Sequence, residues 1–124
     1  MLTIARCSFS DIAAYTKSAA RERIGITGGT TFYAARFDGE IVGFCGIVFK
    51  KDYAVLKNIW VMPEHRKKGI GEAIIRFQIA TAKEAGCHFA RAFCTPMSIK
   101  LFLKAGAEVV KQYKTSTTVE IRFK

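Results

Sequence analysis

The stretch Val61-Met62-Pro63-Glu64-His65-Arg66-Lys67-Lys68-Gly69-Ile70-Gly71 constrains this chain more than any other. Val55 to Met62 is an apolar-rich run that predicts a strand, and Glu72 to Ala85 predicts a helix, so a basic, glycine-containing loop must join the two. The first-turn N–H groups of a helix have no partner within it, and the aligned peptide dipoles leave partial positive charge at that end. Gly69 and Gly71 let the backbone approach a bulky ligand, and Arg66, Lys67 and Lys68 surround it with charge. The junction therefore reads as an anion site.

Caps, turns and periodicity mark the elements on either side. Leu2 to Cys7 predicts an edge strand, and Ser8 or Ser10 is placed to cap a helix from about Asp11 to Arg23 with Ile12, Tyr15 and Ala19 on one face. Gly25, Gly28 and Gly29 end it, and the Ile24–Gly29 piece reads as a connection. Thr30 to Phe37 and Glu40 to Lys50 flank Asp38-Gly39, a two-residue hairpin signal, and Tyr53 to Met62 supplies a third strand.

The helix after the loop has one apolar stripe at Ile70, Ala73, Ile74, Phe77 and Ala80 and another at Ile75, Ile79 and Ala82, which implies burial against a sheet. Glu72 and Arg76 stand at the favourable i, i+4 spacing. Gly86 ends it, and Cys87 to Cys94 predicts the next strand. Thr95 as cap and Pro96 at the first helical position open a short helix to about Ala105. Glu108–Tyr113 and Thr117–Phe123 close the chain as a hairpin. The fold class is α/β (α+β), one domain over residues 1–124, with a mixed, mostly antiparallel sheet flanked by helices in the order β-α-β-β-β-α-β-α-β-β.

Bulk properties narrow the function. The balance of 20 Lys and Arg against 10 Asp and Glu gives a formal net charge of +10, which favours an anionic partner: nucleic acid, an acidic protein or a phosphate-bearing small molecule. No basic run exceeds Arg66-Lys67-Lys68, so no dedicated nucleic-acid arm is visible. Cys7, Cys45, Cys87 and Cys94 form no CxxC pair and sit among apolar neighbours, as buried free thiols of a reducing compartment do. With two histidines, His65 and His88, no metal site is expected. No apolar run approaches a membrane span and no secretory signal pattern opens the chain, so a soluble, cytoplasmic protein with no membrane partner is expected. Trp60, Phe93, Phe32 and Tyr33, at alternate strand positions, are expected in the core.

Two motifs carry a resemblance to a known family. Val61-x-Pro63-x-x-Arg66-x-x-Gly69-x-Gly71 resembles the acyl-CoA pyrophosphate loop of the GNAT superfamily of N-acetyltransferases, and Leu101-Phe102-x-Lys104-x-Gly106 resembles its second signature. The element order matches that family over most of the chain. The resemblance implies that the backbone of Lys67, Lys68, Gly69, Ile70 and Gly71 holds the pyrophosphate of acetyl-CoA, the co-substrate, with Arg66 beside it. It also implies that Val61 lies where a splayed strand hydrogen-bonds the pantetheine arm.

Two positions depart from the pattern. Lys57 stands where many members place a glutamate base, and can accept a proton only if burial frees its lone pair. Phe102 stands where members often use a tyrosine acid; it has no proton to give and is expected to pack against the cofactor or the core. Direct attack of an amine on the thioester needs little besides positioning, which leaves Lys57 and Asn58 as the catalytic candidates. Tyr113, Cys94 and Thr95 flank the same region. The expected activity is acetyl transfer to an amine acceptor, with an anionic acceptor favoured over a polycation. A nucleobase-modifying enzyme and a non-catalytic CoA-binding module are the alternatives, and nucleic acid and a homodimer stay open as partners.

Overall fold

The sheet places the two ends of the Val61–Gly71 junction where they can work together. In this computed structural model residues 1–21, 29–96 and 98–123 are described. Seven strands form one sheet in the order β1-β2-β3-β4-β5-β7-β6. They are β1 (Leu2–Cys7), β2 (Thr31–Phe37), β3 (Glu40–Phe49), β4 (Tyr53–Val61), β5 (Phe89–Cys94), β6 (Glu108–Gln112) and β7 (Thr117–Arg122), with helices α1 (Phe9–Arg21), α2 (Ile70–Glu84) and α3 (Ile99–Lys104). Every neighbouring pair is antiparallel except β4–β5, which is parallel because α2 carries the chain from one to the other.

The helices sort to the two faces by their apolar stripes. On one face Ile70, Ile74, Ile75 and Ala82 of α2 pack with Cys45, Ile47, Ala54, Leu56, Ala90, Ala92 and Val119. On the other, Ile12 and Ala19 of α1 cover Phe32, Ala34, Phe44 and Trp60. Trp60 packs between Tyr15 and Phe44, with ring centroids 5.9 and 5.5 Å away. Ser8 rather than Ser10 stands at the start of α1: the Asp11 carboxylate accepts from the Ser8 backbone N–H at 2.9 Å, the reach-back half of a capping box, and from its hydroxyl at 3.0 Å, and these bonds hold the Asp11 carboxyl below its usual pKa.

Several expectations shift. Helix α3 starts at Ile99 instead of Pro96, because the Thr95 carbonyl accepts from the N–H groups of Ser98 and Ile99 and so forms a turn ahead of the helix. Strand β5 begins at Phe89, and α2 buries Gln78 while Ala80 is exposed. Phe93 is 60% exposed, not core, because it stands on the face opposite α2 beyond the last β4–β5 pair. The expected end of α1 at Arg23, and Gly25 and Gly28 after it, lie outside the described residues. Cys45 and Cys94 are buried and Cys7 and Cys87 half-buried, all as free thiols. Among the described residues no helix is long and apolar enough to cross a membrane.

Candidate functional site

Strand β4 runs beside β5 for four residues and then leaves it. The parallel pairs are Tyr53–Phe89, Ala54–Ala90, Val55–Arg91 and Leu56–Ala92, and the pairing stops there. Two residues past Leu56, Asn58 adopts a left-handed conformation, φ 58°, and the β3–β4 register shifts between Phe44 and Gly46. This is a β-bulge, which bends a strand and re-aims the residues beyond it. The gap it opens is a cleft of about 760 Å³, walled by β4, the basic loop, the start of α2, the end of β5 and α3.

Beyond the bulge, the backbone of β4 offers hydrogen-bonding groups to this cleft. Met62 N–H donates to the Val42 carbonyl at 2.8 Å, and Val61 pairs with Gly43. Antiparallel ladders alternate bonded and non-bonded pairs, so the N–H and C=O of Val61 point away from β3. There the Val61 carbonyl accepts from Arg66 Nε at 2.8 Å, which ties the loop back to the strand that precedes it.

The loop itself is shaped for an anion. Pro63–His65 form a single 3₁₀ turn, Lys67 takes φ 64° and Gly69 takes φ 81°. Left-handed residues interleaved with others turn successive N–H groups toward a common centre, the arrangement of an anion-binding nest. Gly69 is the cap position of α2 and contributes no side-chain hydrogen bond, so the first-turn N–H groups stay available to a ligand. A Cβ on Gly71 would sit 3.5 Å from Leu101 Cδ1 and 3.9 Å from Val61 Cγ2, so the absent side chain keeps open a passage between α3 and β4.

Of the residues singled out from sequence, Lys57, Asn58, Val61, Arg66, Lys67, Gly69, Ile70, Gly71 and Phe102 all line this one cleft. Lys68 is exposed and does not. Phe102 borders the cleft but is only 2% exposed, with its ring packed into the core. Lys57 is half-buried on the face away from α2, and Asn58 is buried with its side chain toward Gly46. Thr95 also lines the cleft, whereas Cys94 is buried, and desolvation pushes its thiol up to about 11. Tyr113 is exposed past the end of β6 and is not part of the wall.

Two features of the site were not anticipated from the sequence. Glu72, in the first turn of α2, would repel an anion there, but Lys104 of α3 lies 3.1 Å and Arg76 3.2 Å from its carboxylate. Their hydrogen bonds, Lys104's first, hold the Glu72 carboxyl below its usual pKa, and the Lys104 pair bridges α2 to α3 beside the cleft. The second feature is Gln78, a polar residue at i+4 from Ile74 and i−4 from Ala82, inside a buried stripe. That placement was the available signal.

Comparison with known proteins bears on this geometry. The family model described as Acetyltransferase (GNAT) family matches residues 1–107. A Bacillus subtilis protein, provisionally assigned as a ribosomal protein bS18 alanine N-acetyltransferase, is 38% identical over 47 residues, which span 38% of this chain and 31% of that protein. Among solved structures, a provisionally assigned acyl-CoA N-acyltransferase from Klebsiella pneumoniae superposes with a TM-score of 0.82 at 23% identity, covering 98% of this chain and 97% of its own. The PaiA N-acetyltransferase of Thermoplasma acidophilum, in complex with coenzyme A, superposes at 0.78 with 16% identity and 99% of both chains covered. At such identities these two structures show a shared fold.

Proposed function

Because the chain belongs to the acetyltransferase (GNAT) family, we propose that it is an N-acetyltransferase that takes its acetyl group from acetyl-CoA and passes it to an amine acceptor. The observation that carries this is the continuity of the cleft: a nest and helix N-terminus at one end, and at the other a strand that has bulged away from its parallel neighbour. The backbone N–H groups of Gly69, Ile70 and Gly71 would hold the pyrophosphate, with the charges of Arg66 and Lys67 beside it. The outward-facing backbone of Val61 and the side chains of Leu101 and Phe102 would line the arm. Bound acetyl-CoA supplies an acetyl thioester, which a neutral amine can attack directly.

On this reading Lys57 acts on the acceptor through charge. An ammonium close to a second amine disfavours the protonated form of that amine, so Lys57 would help the acceptor arrive neutral. Asn58 would serve by holding the bulge. Phe102 has no proton to donate, and the leaving thiolate would be protonated by water. The basic balance of the chain favours an acceptor with anionic surroundings.

The acceptor named for the Bacillus relative, an alanine amine of a ribosomal protein, is the first to try. A peptide α-amine has a pKa near ~8 and is partly neutral at physiological pH, whereas a lysine side chain at ~10.4 is not. The test is release of free CoA from acetyl-CoA over a panel of α-amino peptides, lysine peptides and small amines. Transfer to an amine supports the proposal. Tight acetyl-CoA binding without transfer to any member would replace it with a non-catalytic CoA-binding module.

A further inference from the structure

Gln78 lies on the third turn of α2 and is 0% exposed among Ile74, Ile75 and Ala82. Its Nε2 donates to the carbonyl of Gly46 on β3 at 2.9 Å and to the carbonyl of Lys57 on β4 at 3.2 Å. Gly46 and Lys57 face each other as the last pair on the near side of the bulge, and Asn58 with its left-handed φ comes next. A single amide group therefore grips both strands at the point from which β4 departs. Its other polar atom, Oε1, is buried with no hydrogen-bond partner among the described residues. The amide thus carries the cost of one unpaired buried acceptor while it satisfies two strand carbonyls at the bulge.

The same helix carries both ends of the cleft. Its N-terminus, Ile70 and Gly71, is where the anion cradle forms, and Gln78, two turns along, fixes the bulge that opens the strand gap. Helical rise is constant, so this side chain sets the distance and orientation between the two subsites. We propose that Gln78 is a positioning residue: acting through the Gly46 and Lys57 carbonyls, it holds the bulge open in register with the anion cradle, so that the arm and acetyl group of acetyl-CoA meet the backbone of β4. This rests on the cleft being the acetyl-CoA site.

The test separates the two halves of the ligand. The probes are acetyl-CoA and its nucleotide half, 3′-phosphoadenosine 5′-diphosphate, titrated calorimetrically into the wild type and Gln78→Met, which keeps the length and removes the donor. The expected result is a variant that still folds, with a lower melting temperature because the Gly46 and Lys57 carbonyls lose their donor, unchanged affinity for the nucleotide half, and an affinity for acetyl-CoA lower by about tenfold, the scale of one or two net hydrogen bonds. Equal loss for both probes, or no loss for either in the folded variant, would overturn the inference. Failure of the wild type to bind either probe would overturn the acetyl-CoA reading instead, and the inference with it.

A measurement on the wild type covers the case in which the variant does not fold. The Gln78 side-chain amide protons should shift in the NMR spectrum on addition of acetyl-CoA and stay in place with the nucleotide half alone. Equal shifts with both, or none with acetyl-CoA, would refute the positioning role.

Discussion

Replacing Gly71 with valine should weaken acetyl-CoA binding roughly a hundredfold while leaving the protein folded. Gly71 is the second residue of α2 and does not take a positive φ, so a side chain introduces no backbone strain there. The new Cβ would meet Leu101 Cδ1 at 3.5 Å and Val61 Cγ2 at 3.9 Å, ordinary contact distances, and valine is a better helix former than glycine by a few tenths of a kcal/mol. The backbone therefore accepts a side chain here without strain, and the variant should stay folded. The two γ-methyl groups would occupy the passage between α3 and β4 and stand in front of the first-turn N–H groups. Loss of two charge-assisted hydrogen bonds would cost about 3 kcal/mol or more, roughly a hundredfold in Kd. Calorimetric titration with acetyl-CoA, paired with thermal melts of both proteins, measures this. A folded variant that binds within about threefold of the wild type would refute placement of the pyrophosphate at this helix start.

The same geometry predicts three further outcomes. Gly69→Ala forces an L-residue to φ 81° with nothing near its Cβ, so it should lower stability by about 1 kcal/mol, or about 4 °C in Tm, by a purely backbone route. Phe102→Ala should cost about 3 to 5 kcal/mol by urea titration, because the ring is buried in the core where it borders the cleft. Burial raises the Cys94 thiol from 9.0 to about 11, so the unfolded chain gives up that proton first. The stability it contributes is complete below about pH 9 and is lost as pH rises through about 11. Urea midpoints measured from pH 7 to 11 should fall more steeply for the wild type than for Cys94→Ala.

Much of the candidate site could be read before its geometry because the half proposed for the cofactor is built from backbone. A strand, a basic loop with glycines at two positions and an amphipathic helix are local patterns, and Arg66 to Gly71 carries all three within a few residues of one another. The i, i+4 pair of Glu72 and Arg76 was legible for the same reason, and it forms at 3.2 Å. What escaped depends on distant parts of the chain. The burial of Gln78 against Gly46 and Lys57 joins positions 32 and 21 residues apart. The exposure of Phe93 could not be inferred from alternation alone, since it arises where β5 loses β4 as a neighbour. The late start of α3 reflects a competing turn in which the Thr95 carbonyl accepts from the N–H groups of Ser98 and Ile99. The rest of the cleft wall draws on β4 and β5, which meet only in the folded sheet, and no short motif announces such a surface.

The central claim is that the Val61–Gly71 junction is where this protein holds acetyl-CoA. An experimental structure of the protein with acetyl-CoA tests it most directly. The account predicts pyrophosphate oxygens about 2.7 to 3.2 Å from the backbone nitrogens of Gly69, Ile70 and Gly71, with the arm running along Val61 between β4 and β5. A cofactor bound elsewhere, with those nitrogens facing solvent, would contradict it.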